Sequence, residues 1–416
     1  MILAGCVLSM PAVLGQTAAS TEYFLDNNAY IYRLNPALSD PSSRFFFGVL
    51  APHLTVAASS NVGVSDLLFP MSDGSLVTGL NSQVPSSDFL GGLKENNALR
   101  LNADVNLLSI GRYENDHLTT VEVNLRSNTS CDIPKSVFSL LKEGTQGYTY
   151  SAPGLDVRTS NWLEAAIGHG VTDGPFSYGF RIKFMAGLAD VSLHMDEMSA
   201  TPSSDGVSID AAGTLKRAEP LFNDDGSSKQ LSLSSLSPMG LGAGVDLGFA
   251  YNGDRFRVDA ALLDLGAIRW HNSMYGDFTY REMLGSDASV GEVLSTISPD
   301  TPAGAHISAT AATVNVGGRY FVNDWFSAGL FYTGRLDGGW SDARAGVTLT
   351  PGSALSFAAS AGVSQSGVCC GAALNLRIPG LMLHVAVDDV IFEFTPQYVP
   401  VNAFHTAISA GLAIVI

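Results

Sequence analysis

Through most of this chain apolar residues recur at every second position, the period of a β-strand with two unlike faces. The clearest instance runs from Gly240 to Asp264. On its first arm Gly240, Gly242, Gly244, Asp246 and Gly248 alternate with Leu241, Ala243, Val245, Leu247 and Phe249. An Asn252-Gly253 tight turn follows, and on the second arm Phe256, Val258, Ala260 and Leu262 alternate with Arg255, Arg257 and Asp259. Residues 176–188 repeat the arrangement, with Tyr178, Phe180, Ile182, Phe184 and Leu188 on one face and Arg181 and Lys183 on the other. Further strands are expected at 44–59, 102–113, 117–126, 156–168, 268–280, 307–321, 325–335, 343–349, 354–363, 370–378, 381–394 and 405–416. Shorter pieces at 189–200 and 207–216 would extend a hairpin beyond the rest. The tally is about fourteen spanning strands, within roughly twelve to sixteen, and bacterial barrels use even numbers.

Alternation alone fits a soluble sandwich as well as a barrel whose apolar face meets lipid. Composition separates the two. The chain is 46% hydrophobic and 15% charged, whereas typical globular proteins carry roughly 25% charged residues. No run approaches the roughly 18 uninterrupted apolar residues of a spanning helix. A membrane chain without such helices must close its strands, because lipid offers no partner to open backbone groups. The expected fold class is therefore all-β: a transmembrane antiparallel β-barrel with an N-terminal lumen segment and a short helix. Tyr113, Trp162, Trp270, Tyr275, Tyr280, Tyr320, Trp325, Tyr332 and Trp340 lie near strand ends, as interface girdles would. A basic residue facing mid-bilayer costs about 2–4 kcal/mol, so Arg181, Lys183, Arg255, Arg257 and Asp259 are expected to form an inward network.

Several stretches break the pattern. Residues 1–16 read as a signal peptide without a basic n-region; Leu3-Ala4-Gly5-Cys6 alternatively reads as a lipoprotein box that would acylate Cys6. Residues 17–43 read as an N-terminal plug, residues 44–416 as the barrel, and 61–98 and 128–148 as inserted plug or loop segments. A short helix is expected at 134–142, with Pro134 in its first turn and Asp132 as cap. Residues 201–236 and 282–303 read as exposed loops, and Asp224-Asp225 could hold calcium only weakly.

The net charge of −17 excludes a nucleic-acid-binding surface, since no basic stripe is present to neutralise phosphates. No metal-ligand spacing, cofactor motif or catalytic signature appears, so the chain reads as no enzyme. His169, His194 and His271 are the histidines best placed to serve a site assembled from separate strands. Gly240-Leu-Gly242-Ala-Gly244 lacks the spacing and following helix of a nucleotide loop. Asp264 and Asp388-Asp389 both follow apolar runs, and an Asp bonding backbone at a strand kink is the expected structural role.

The C-terminus resembles the assembly signal of bacterial outer-membrane proteins, with Ser409, Gly411, Ile414 and Ile416 at its key positions and Ile where an aromatic is usual. Asn35-Pro36-Ala37-Leu38, Val64-Ser-Asp-Leu-Leu68, Lys183-Phe-Met-Ala-Gly-Leu188 and Leu263-Asp-Leu-Gly-Ala-Ile-Arg-Trp270, in that order, resemble pieces of FadL-like outer-membrane barrels, and more narrowly of PorV-related barrels of Bacteroidetes. The resemblance implies residence in the outer membrane of a Gram-negative bacterium, with lipid and the barrel-assembly machinery as partners. It implies one of two functions: passage of a small hydrophobic compound, or docking of a secreted or outer-membrane protein on the long loops. For passage, Tyr23, Phe24, Tyr30, Tyr32 and Leu38 are expected to line or gate the route.

Overall fold

Fourteen antiparallel strands close into a barrel in the computed structural model. It describes residues 19–416 apart from 73, 145–146, 152–153, 204–205, 219–237, 285–302, 337–339, 366 and 390–403. The strands are β1 (Phe45–Ser60), β2 (Asn96–Glu114), β3 (His117–Pro134), β4 (Asp156–Asp173), β5 (Phe176–Ser203), β6 (Gly240–Asn252) and β7 (Phe256–Leu284). Then follow β8 (Thr313–Asn323), β9 (Phe326–Arg335), β10 (Ser341–Leu349), β11 (Leu355–Ser364), β12 (Gly367–Ile378), β13 (Gly380–Asp388) and β14 (Phe404–Val415). Neighbours in the chain pair with one another, and β1 closes the wall on β14 through pairs such as Phe46↔Val415 and Thr55↔Ser409. Six short turns share one end with the start of β1 and the end of β14. The β2–β3 turn has Asn115 and Asp116 at φ 52° and 63°, the twist that a two-residue hairpin requires.

The two faces of the wall are inverted relative to a soluble protein. Along β14, Ile408, Leu412 and Ile414 are exposed while Ala407, Ser409, Gly411 and Ala413 are buried. Likewise Phe180, Ile182 and Phe184 on β5 point out, and Arg181 and Lys183 point in. Apolar residues turned outward around a closed wall suit lipid. No helix among the described residues is long and apolar enough to span a bilayer, so the crossing is made by strands.

Beyond the long-loop end β5 and β7 continue as a sheet, with Gly206–Ala218 paired between them and Ala303–Ala309 against β7. Its inner face gathers Leu193, Met195, Leu215, Phe278 and Tyr280. Helices at Ser86–Gly92 and Lys135–Glu143 meet around Phe89 and Phe138.

Several expectations need correction. Residues 268–280 are not a separate strand: Asp264 adopts φ 56° and inserts a bulge, so β7 changes register without ending. Residues 128–134 are strand, continuing β3, and 201–203 are strand rather than loop; the piece expected at 207–216 is strand over 206–218, where Val207, Ile209, Ala211 and Leu215 keep the period of two. Pro134 precedes the helix that starts at Lys135, and Asp132 pairs with Arg100 instead of capping it. Trp162, Trp270, Tyr280 and Trp340 are buried and form no girdle, whereas Tyr275, Tyr320, Trp325 and Tyr332 are exposed. The signal peptide with Cys6, and the Asp224-Asp225 pair, lie outside the described residues, as do most of 219–236 and 285–302.

Candidate functional site

Residues 19–43 run through the lumen. They form two short 3-10 turns, Ser20–Phe24 and Ile31–Arg33, and touch strands on every side. The Ser20 amide donates to Asp388 on β13 (2.6 Å), and the Tyr23 hydroxyl donates to Asp259 on β7 (2.6 Å). The Thr348 hydroxyl on β10 donates to the Phe24 carbonyl, and Asn315 on β8 donates to that of Leu34. Tyr23, Phe24, Tyr30, Tyr32 and Leu38 are all buried, at 0–3% exposure. The five divide between two clusters. Tyr23, Phe24 and Leu38 pack with Phe331 and small wall residues such as Ala358 and Ala373, while Tyr30 and Tyr32 pack with Phe46, Leu118 and Met382.

Between these clusters, charges alternate in a closed ring. Arg33, the one member from the N-terminal segment, pairs with Asp104 on β2 (2.7 Å) and Glu122 on β3. Asp104 then meets Arg126 (3.0 Å), Arg126 meets Asp264 (2.9 Å), and Asp264 meets Lys183. Lys183 meets Asp246 (2.7 Å), Asp246 meets Arg181 (2.9 Å), and Arg181 returns to Glu122. Every cation touches two carboxylates and every carboxylate two cations, so no member is left uncompensated inside the barrel. The arrangement matters because an unpaired buried charge costs several kcal/mol. Of the residues expected in a lumen network, Arg181 and Lys183 stand in this ring. Arg257 and Asp259 form a neighbouring pair (3.3 Å) against Tyr23. Arg255 stands apart from this ring: it sits exposed at the β6–β7 turn, at the rim of the short-turn end.

The wall itself is interrupted beside this segment. Phe47 pairs with Ile414 and His53 with Gly411, so five residues of β1 stand opposite two of β14. Leu50 and Ala51 adopt φ 59° and 65°, and Leu50 is 92% exposed to the surroundings of the barrel. Pro52, which lacks an amide donor, lies over Gly48, where a Cβ would stand 2.2 Å from the Pro52 Cβ. The bulge leaves the β1-facing edge of β14 unpaired at Leu412 and Ala413. The Tyr30 hydroxyl fills the gap from inside: it donates to the Leu412 carbonyl (3.1 Å) and lies 3.1 Å from the Ser109 Oγ. Sequence reasoning missed this break; a proline inside a strand of the Val49–His53 stretch was the available signal.

Two polar cavities adjoin the segment. One of about 50 Å³ lies among Glu22, His53, Arg33, Asp104, Lys183 and Asp264. The other, about 700 Å³, opens at the short-turn end among Asp26, Asn28, Asp40, Arg255, Arg257 and Arg319. The histidines singled out in the sequence do not converge. His169 contacts His117 near the short turns, while His194 pairs with Asp156 toward the opposite end. His53 and His384, which meet beside Glu22, carry no sequence signal, since they come from opposite ends of the chain. Ser409, Gly411, Ile414 and Ile416 lie on or directly after β14, the first two facing the lumen and the last two facing out.

No curated protein matches the chain. Among solved structures, a deletion mutant of the monoaromatic hydrocarbon channel TodX superposes with a TM-score of 0.52 at 10% identity, covering 96% of this chain and 98% of that one. The Pseudomonas putida toluene transporter TodX gives 0.49 at 10% identity, with the same coverage. A Pseudomonas aeruginosa FadL homologue gives 0.44 at 11%, covering 95% of this chain and 96% of its own. The first of these likenesses concerns the fold alone: a FadL-like outer-membrane β-barrel, which is where a closed fourteen-stranded wall with lipid-facing apolar residues belongs. A protein-family model matches residues 36–388, from the lumen segment to the end of β13. By that match the chain belongs to the family of unknown function DUF5723.

Proposed function

We propose that this barrel passes a small hydrophobic compound between its lumen and the bilayer, with residues 19–43 as plug and Tyr30 as the gate at the β1 interruption. The observation that carries the reading is the break in the wall at Leu50 and Ala51, closed from inside by a single tyrosine hydroxyl on an unpaired carbonyl. A closed ladder gives an apolar solute no sideways exit, whereas a bulge that breaks pairing and bends the strand does. The fold likeness to a monoaromatic hydrocarbon channel supports the same class of cargo. The cavities around the segment are polar, so the apolar path opens when the segment moves. Lipid and the barrel-assembly machinery are its partners in this reading, and the narrower affinity with PorV-related barrels of Bacteroidetes rests on the sequence pieces quoted above.

A second reading has its own observation. The sheet that β5 and β7 carry beyond the barrel is a surface suited to docking a secreted or outer-membrane protein. Native mass spectrometry of protein extracted gently from its own membranes separates the two. A bound apolar small molecule without a protein partner is the expected result. A stoichiometric protein partner without such a ligand contradicts passage and supports docking.

A further inference from the structure

Glu22, His53 and His384 meet inside the barrel, fully buried, on three different elements. His53 on β1 and His384 on β13 are both in register with Gly411 of the intervening β14. With no side chain at Gly411, the two imidazoles lean together over the closing strand, their centroids 5.3 Å apart. The space is real: a Cβ at residue 411 would stand 2.2 Å from the His384 Cε1. Glu22 descends from the lumen segment, and its Oε1 lies 3.1 Å from the His384 Nε2 and 3.6 Å from the His53 Nε2. Asn28 donates to the same oxygen (3.0 Å) and fixes the carboxylate's orientation.

Two features set this cluster apart from an ordinary buried hydrogen-bond network. Apart from the short contacts to Glu22, none of the four ring nitrogens of His53 and His384 has a hydrogen-bond partner among the described residues. Buried imidazole nitrogens are seldom left so. Moreover, among the described residues no ion pair joins Glu22 to a Lys or Arg; its charged-group contacts are to His384 and His53. A buried carboxylate whose polar neighbours are two imidazoles and a neutral amide calls for a cation. Two imidazoles and one carboxylate form a familiar donor set for late divalent ions, zinc foremost. With bonds of about 2.0–2.1 Å, the ligand atoms of a tetrahedral zinc site stand roughly 3.4 Å apart; the separations of 3.1 and 3.6 Å bracket that value.

We propose that Glu22, His53 and His384 bind one divalent transition-metal ion, zinc by ligand type, which ties the lumen segment to the first and penultimate strands across the seam where the barrel closes. Glu22 and His53 also line the cavity of about 50 Å³, which has room for a water to complete the coordination. This assignment is independent of what the barrel transports. A proton held between Glu22 and one imidazole is the competing arrangement, and it binds no metal.

The test uses the full chain without a histidine tag, assembled in detergent, stripped with chelator, reloaded with Zn²⁺ alone and desalted. We expect about one zinc per chain by elemental analysis, and at least a tenfold loss of retained zinc in the His53→Gln/His384→Gln double variant. The His306→Gln variant, which alters a separate His306–Asp190 pair, should keep its zinc. Heat-modifiable migration on gels confirms that each variant is a closed barrel. Absence of stoichiometric zinc in the wild type overturns the proposal, as does undiminished zinc in an assembled double variant. Should the double variant not assemble, X-ray absorption of the Co²⁺-loaded wild type decides: two imidazoles in the inner shell support the site, and none overturns it.

Discussion

The Tyr30 hydroxyl donates to the Leu412 carbonyl at 3.1 Å, bridging from the lumen segment to a stretch of β14 that β1 leaves unpaired. Removing only the hydroxyl should cost about 1 kcal/mol, the net worth of one hydrogen bond. Removing the ring should cost about 3–5 kcal/mol and open the gap. The expected order of apolar-dye entry into cells expressing each form is wild type, then Tyr30→Phe, then Tyr30→Ala. Equal entry in all three, with equal barrel amounts, would remove Tyr30 from the gate.

Arg33 is the charged link between the ring and the N-terminal segment, beside the Tyr32 hydroxyl, which donates to Glu122 (2.9 Å). Arg33→Met leaves Asp104 with Arg126 alone and Glu122 with Arg181 alone. Breaking a buried pair from one side costs about 3–5 kcal/mol, and the surviving partners should hold the loss to the lower figure. The barrel should still assemble, while limited proteolysis should cut within residues 19–43 at least tenfold faster. An unchanged cleavage rate would show that Arg33 does not hold the segment.

Asp264 carries two burdens, a left-handed backbone and two cations. Asn tolerates that backbone, so Asp264→Asn reports the charge alone. Ala adds about 1–2 kcal/mol of backbone strain. Thermal unfolding in detergent should therefore place Asp264→Ala below Asp264→Asn, with wild type above both. If the Ala and Asn variants melt together, the backbone term is absent.

Gly411 admits two explanations that one substitution separates. As part of an assembly signal, its loss lowers the amount of inserted barrel. As the seat of the His384 ring, Gly411→Ala leaves insertion largely intact but displaces the imidazole. We expect normal heat-modifiable barrel with zinc retention reduced at least tenfold. Reduced insertion with zinc retained per chain would favour the signal.

The wall was legible in the sequence because alternation is a local property. Spacing put Ile408, Leu412 and Ile414 on one face and composition turned that face outward, which also turned Arg181 and Lys183 inward. Asp264 and Asp389 are both left-handed; the Asp389 carboxylate accepts from the Cys370 amide, the backbone-bonding role expected of an aspartate after an apolar run, whereas that of Asp264 pairs with Arg126 and Lys183 instead. The partners of the charges were not legible. Asp104, Glu122, Asp246 and Asp264 come from four strands, and only barrel curvature brings them to one ring with Arg33. The same holds for His53 and His384, whose juxtaposition requires the chain's two ends to close on each other. Trp162 and Trp270 misled because period two places a residue on a face without saying which face meets lipid when a bulge intervenes.

The central claim is that apolar cargo leaves through the β1 interruption. Deleting Leu50, Ala51 and Pro52 removes the three residues by which β1 exceeds β14 and restores the inward–outward alternation from Phe46 through Thr55. The measurement is uptake of a radiolabelled small aromatic hydrocarbon by cells whose lipopolysaccharide leaflet slows such solutes, comparing wild type with this deletion at equal levels of heat-modifiable barrel. The account predicts that uptake falls to that of cells lacking the protein. Uptake equal to wild type through an assembled, uninterrupted wall would contradict it.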